Sequence, residues 1–247
     1  MDPNGVMAEL TGREGGYSRG KGGSMHMFSQ EKGFFGGHGI VGASTAIGTG
    51  LGFAHQYKED GGVAVAYMGD GSANQGQVAE CYNMAALWKL PVLYVIENNK
   101  YAMGTSNERS CAGDLYARGA GYGIPGEQVD GMDVFTVQAA ARQALDYVRS
   151  GNGPYILEVM TYRYRGHSMS DPAKYRQKSE VDDMKSNRDP IEAIKKMMID
   201  DHGVKEEDLK AIDKAIKARI KESADFAQSS PELGPEELWT DVLVEVN

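Results

Sequence analysis

Asp70, set between two glycines in Gly69-Asp70-Gly71, and Asn99, the second residue of Asn98-Asn99, form the pair in this sequence best suited to hold a metal ion; 26 residues lie between the two motifs. They offer one carboxylate and one neutral amide oxygen. Both are hard ligands, and magnesium takes few protein ligands of this kind, completing its octahedron with phosphate and water. Gly69 and Gly71 let the backbone turn sharply and approach a diphosphate with no Cβ in the way. A helix opening near Asn74 would add N–H donors and partial positive charge at the same place. Taken singly, Gly-Asp-Gly is a turn and Asn98-Asn99 a strand end; the pair at this spacing reads as a ligand site only if the chain between them brings both to one edge.

The flanking elements do that. Val63 to Met68 is an unbroken apolar run, suited to a strand covered on both faces. Val78, Cys81, Tyr82, Ala85 and Trp88 follow at three- and four-residue spacing, which predicts a helix from Asn74 to Lys89. Pro91 opens the next run, Val92 to Ile96, as proline can at the first residue of a strand. If the two strands are parallel neighbours, Asp70 and Asn99 emerge on the C-terminal edge, where open α/β sheets bind ligands.

A second round follows, with a helix marked by Val137, Ala141, Ala144, Leu145 and Val148 and a strand from Tyr155 to Met160. The fold class is therefore α/β, a parallel sheet with helices on both faces. Residues 1–62 read mostly as loop before a helix from Ala43 to Tyr57. The last third is a helical segment: Asp189-Pro190 with Glu192 is an N-cap, a first-turn proline and an N3 acid. Leu209, Ile212, Ile216 and Ile220 mark a long charged amphipathic helix, assigned to packing or an interface.

Composition bounds the function. The net charge is −9, which argues against nucleic acid or an anionic membrane as the partner. Cys81 and Cys111 form no framework, and a reducing compartment with ordinary thiols is expected. No signal peptide and no run of apolar residues long enough to span a bilayer is seen. Glycine is in excess, at 32 of 247 residues, and two phosphate-loop patterns occur. Gly37-His38-Gly39-Ile40-Val41-Gly42 fits G-x-G-x-x-G but lacks the buried strand that should precede it. Gly15 to Lys21 begins like the phosphate loop of nucleotide hydrolases, but Gly22 stands where Ser or Thr must hold magnesium.

The 69–71 and 98–99 motifs together look like the thiamine diphosphate motif. Ala79-Glu80-Cys81-Tyr82-Asn83-Met84-Ala85-Ala86-Leu87-Trp88-Lys89-Leu90-Pro91 resembles the α subunits of the pyruvate dehydrogenase E1 component, in the thiamine diphosphate-dependent 2-oxo acid dehydrogenase family. So do Met7-Ala8-Glu9-Leu10-Thr11-Gly12, Lys21 to Met27, and Tyr162 to Pro172. The resemblance covers nearly the whole chain, is least specific after Pro190, and treats residues 1–247 as a single domain of the thiamine diphosphate-binding fold.

Carried over position by position, it implies that Asp70, the Asn99 side chain and the Tyr101 carbonyl bind Mg2+. Gly71 and Ser72 contact the diphosphate, Gly39 and Val41 line the cofactor pocket, and His167 projects from a loop towards the reactive ring. The implied reaction is decarboxylation of pyruvate, with the cofactor accepting the electrons released with carbon dioxide and the two-carbon unit passing to a lipoyl group on E2. The implied assembly is an α2β2 heterotetramer, whose β subunit supplies the glutamate that activates the cofactor. The compartment would be the cytoplasm of a bacterium or a mitochondrial matrix.

Rival readings are an α subunit for branched-chain 2-oxo acids or acetoin, or a non-catalytic interaction subunit. Ser168 and Ser106 resemble positions phosphorylated in eukaryotic relatives, whereas Ala173-Lys174 stands where another such serine would be, and both serines are read as unmodified. Family α subunits carry further chain before the segment matching Met7, including a His and a Tyr-Arg pair at the active site. The chain therefore reads as an α subunit lacking its N-terminal part, expected to bind thiamine diphosphate poorly when alone.

Overall fold

A computed structural model describes residues 1–243. In chain order its helices are α1 (Pro3–Leu10), α2 (Ala43–Lys58), α3 (Gly76–Leu87), α4 (Asn107–Ser110), α5 (Val134–Tyr147), α6 (Lys178–Asn187), α7 (Pro190–Asp200) and α8 (Glu206–Ser229). The strands are β1 (Ala64–Gly69), β2 (Val92–Asn98), β3 (Tyr101–Ala102), β4 (Thr105–Ser106), β5 (Gly126–Asp130) and β6 (Tyr155–Met160). They fall into two compact units, residues 40–197 and residues 1–39 with 198–247.

In the unit formed by residues 40–197, the sheet order is β1-β2-β6-β5, and every pairing is parallel. Side-chain alternation sorts its core into two layers. Ala66, Tyr94, Ile96 and Ile156 pack with Val78, Tyr82 and Ala85 of α3, while Leu93, Val95 and Leu157 pack with Ala140 and Ala144 of α5 on the opposite face. Helix α2 lies on β1 and against α3. It comes close because it presents glycine to the sheet: a Cβ on Gly48 would stand 2.5 Å from that of Ala66.

Two expectations are corrected here, and two elements are new. β1 is buried on one face only, since Val65 is 41% and Tyr67 65% exposed. It is an edge strand, and α5 packs over β5 and β6 instead. The first turn after Gly71 is a separate 3-10 turn, Ser72–Asn74, closed by Asn74 N–H donating to the Gly71 carbonyl, so α3 begins at Gly76 and not at Asn74. Finally, β5 and α6 occupy stretches with no strong apolar pattern. β5 is a half-exposed edge strand, Gly-Glu-Gln-Val-Asp, with little to bury.

In the other unit α1, within a stretch expected to be mostly loop, packs on α8. Asp2 caps α1 by accepting from Asn4 N–H at 2.8 Å, with Pro3 in the first turn. Glu9, at the end of α1, is fully buried. Its carboxylate accepts from the backbone N–H groups of Ser18 (2.7 Å), Gly20 (2.9 Å), Gly22 (2.6 Å) and Gly23 (3.1 Å). On α8 the expected helix forms, and Ile212, Ile216 and Ile220 lie exposed along it.

Candidate functional site

β1 and β2 run in register, with Gly69 opposite Glu97, so Asp70 and Asn99 leave the sheet at the same C-terminal edge. The sequence-derived frame for the ligand site is therefore present. Asp70 is 3% exposed. Burial pushes its pKa above the ordinary carboxylate value, while its own backbone N–H, that of Gly71 and the Arg163 guanidinium pull it back. A dry carboxylate of this kind is well matched to a divalent cation. Among the described residues no group of three His, Cys, Asp or Glu surrounds a common point. One carboxylate with amide and carbonyl oxygens, as expected from Asp70, Asn99 and Tyr101, is a donor set of the kind magnesium takes when phosphate completes its shell.

The second limb is a tight turn after β2. Tyr101 N–H donates to Asn99 Oδ1 at 3.2 Å, fixing the amide oxygen and leaving it a second lone pair. Lys100 has φ of 71°, and its carbonyl accepts from Asn107 N–H at 2.9 Å. The β3–β4 hairpin then folds back so that Ala102 faces Gly71; a Cβ there would lie 2.7 Å from the Ala102 methyl. Gly71 is therefore demanded by protein packing. Gly69 is different, because a Cβ there would meet nothing within 4 Å. The backbone beside Asp70 is therefore open on that side.

Val41 is half exposed, and its carbonyl accepts from Gln77 Nε2 of α3 at 3.0 Å. Ser72 opens the 3-10 turn after Gly71. Gly39 belongs to the other unit, where a Cβ would lie 3.4 Å from His26 Nε2.

His167 sits in the loop after β6, held at its backbone by donation of its N–H to Asp171 Oδ2 at 2.7 Å. Its Nδ1 lies 3.4 Å from Nη1 of Arg163. Arg163 also donates to the Met103 carbonyl (3.0 Å) and to Tyr175 Oη (3.2 Å). One guanidinium thus bears on Asp70 through its field and on His167 by contact. Sequence reading passed over Arg163 as part of a motif, although its position in Tyr-Arg-Tyr-Arg-Gly-His was visible.

A second group holds the Tyr101 turn to α6. Tyr101 Oη and Tyr162 Oη both donate to Glu180 Oε1, at 3.2 and 2.8 Å. Burial and the Glu180 bond push the Tyr162 pKa up to about 12. Arg176 lies over the rings of Tyr101, Tyr162 and Tyr175, and donates to the carbonyls of Arg163 and Arg165. Nothing in the local composition around Arg176 and Glu180 signals these contacts.

Residues 1–236 match the family model described as the dehydrogenase E1 component. Over 245 residues the chain is 62% identical to the pyruvate dehydrogenase E1 component subunit alpha of Rhizobium meliloti (strain 1021), covering 99% of this chain and 70% of that protein. The protein of the same name from Zymomonas mobilis is 61% identical, with 99% and 69% covered. The mitochondrial subunit of Dictyostelium discoideum is 49% identical, with 98% and 64% covered.

Proposed function

The chain belongs to the dehydrogenase E1 component family, and from that premise we propose that it serves as the α subunit of a pyruvate dehydrogenase E1 component, binding thiamine diphosphate through Mg2+. The observation that carries the cofactor reading is the in-register pairing of β1 with β2, which delivers Asp70 and Asn99 to one sheet edge. The relatives' shared name carries the substrate.

Asp70, Asn99 Oδ1 and the Tyr101 carbonyl would hold the metal, with Ser72 and the backbone at Gly69 to Gly71 against the diphosphate. When bound, the cofactor supplies the electron sink for decarboxylation of a 2-oxo acid. Arg163 orients His167, which handles protons at the reacting centre. The Arg163 guanidinium faces the Nδ1 side of the imidazole, which leaves Nε2 as the nitrogen turned to the reacting centre in this reading. The assembly we assign is α2β2 with a β chain, and the acceptor is the lipoyl domain of E2. No described helix is long and apolar enough to cross a membrane, and we place the protein in the bacterial cytoplasm or a mitochondrial matrix.

The test is co-expression with a β chain, followed by pyruvate-dependent dye reduction with and without thiamine diphosphate and magnesium. Activity that needs both additives and disappears in Asp70→Ala supports the reading. Preference for a branched-chain 2-oxo acid or acetoin over pyruvate would overturn the substrate, and metal-independent activity would overturn the site.

A further inference from the structure

Glu158 lies in the middle of the sheet on β6 and is fully buried. Its neighbours in the strand, Ile156 and Leu157, are core residues, and a side chain serving only to fill that space would be apolar too. A buried carboxylate is costly unless its oxygens are fully used. Each of Glu158's accepts one hydrogen bond. Oε1 accepts from Asn98 Nδ2 at 2.7 Å, and Oε2 accepts from Tyr116 N–H at 3.0 Å.

Each bond leads to a different limb of the site. Asn98, itself fully buried, uses its other side-chain atom, Oδ1, to accept from Lys100 N–H at 3.1 Å. That contact closes the turn carrying Asn99 and Tyr101. Tyr116 opens the 3-10 helix Tyr116–Tyr122, which carries Arg118. Arg118 donates to the Ala73 carbonyl at 2.9 Å and to Asn74 Oδ1 at 2.7 Å, gripping the turn that follows Asp70 and Gly71. The two limbs of the metal and diphosphate edge are thus tied to the two oxygens of one carboxylate.

We propose that Glu158 is a positioning residue that sets the Asp70 limb and the Asn99 limb at the spacing a bound metal requires, acting through Asn98 and Arg118. The part concerning metal rests on the function proposed above; the part concerning the turn does not. Ligand-orienting partners, touching neither metal nor substrate, typically change metal affinity or activity by about 10–100-fold when they are removed.

Two variants separate the limbs. Glu158→Gln turns one of the two acceptors into a donor facing a donor, whereas Asn98→Ala removes the bridge to Lys100 and leaves Tyr116 bound. Amide hydrogen exchange on the full chain without ligand reads the turn directly: exchange at Lys100 should quicken in Asn98→Ala, and in Glu158→Gln at whichever of Lys100 and Tyr116 is served by the position the amide nitrogen takes. In the assembly with a β chain and saturating thiamine diphosphate, half-saturating Mg2+ should rise about tenfold in both, with turnover at saturating Mg2+ kept within about twofold.

Wild-type exchange at Lys100 together with wild-type Mg2+ dependence in either folded variant overturns the proposal, as does a loss of turnover that Mg2+ does not restore. If Glu158→Gln does not fold, Asn98→Ala carries the test. If the unsubstituted assembly needs no metal, it is the proposed function that fails, and exchange at Lys100 and Tyr116 still decides whether Glu158 holds the turn.

Discussion

Gly71 and the Ala102 methyl meet with no room for a further carbon, a Cβ on the glycine falling 2.7 Å from that of the alanine. Gly71 has φ of −65° and ψ of −42°, which any residue can adopt, so the constraint is steric. Gly71→Ala should destabilise the chain by about 1–3 kcal/mol through overpacking. Adding Ala102→Gly should recover most of that loss in urea unfolding. Failure of the second change to compensate would locate the constraint elsewhere.

Gly69 should behave in the opposite way. With open space where its Cβ would lie, Gly69→Ala is expected to leave stability within about 0.5 kcal/mol. It should nevertheless weaken thiamine diphosphate binding, measured by calorimetry on the assembled protein, because the added methyl occupies the approach to the diphosphate.

Asp70 should trade stability for metal binding. Its folded pKa lies above the ordinary 3.8, so between those two pH values the folded chain keeps a proton that the unfolded chain has released. Stability therefore falls as pH rises through that window, and the deficit is complete above it. Asp70→Asn removes the deficit and should raise the melting temperature of the ligand-free chain at pH 7. Mg2+ with thiamine diphosphate should stabilise the unsubstituted assembly and leave the variant unmoved in a thermal-shift experiment.

For the His167 loop, His167→Asn should lower turnover by about 10²–10⁴, the usual contribution of a placed acid or base. Cofactor affinity should stay near that of the unsubstituted protein. Arg163→Lys should also lower turnover, because a single ammonium cannot replace the fork that reaches Met103, Tyr175 and His167 at once. Steady-state kinetics with separate cofactor titration distinguishes these outcomes from general misfolding.

The sheet, and the meeting of the Asp70 and Asn99 segments at one of its edges, were legible in the sequence because parallel strands announce themselves as apolar runs: 63–68, 92–96 and 155–160 all became strands. β5 was not legible, since an edge strand of Gly-Glu-Gln-Val-Asp has too little to bury to leave a pattern. The Asp2-Pro3 start of α1 is a standard cap signal, read instead only for its lack of an apolar leader. Within the site, Asp70 and Asn99 could be paired from spacing, but the bonds of Glu158, Arg118 and Arg176 join residues from 11 to 60 positions apart. No local period records such contacts; they exist only once the strands are set side by side.

Glu9 gives the glycine-rich stretch 15–23 a different chemical identity. The four amides it satisfies are of the type that would cradle a phosphate in a nucleotide site. Here the anion is tethered to the same chain, and a tethered ligand competes at an effective concentration in the millimolar range or above. Free nucleotide or phosphate would have to displace it, so this loop should be indifferent to ATP in a binding titration. The sequence pattern survives as a receptor whose ligand is already built in.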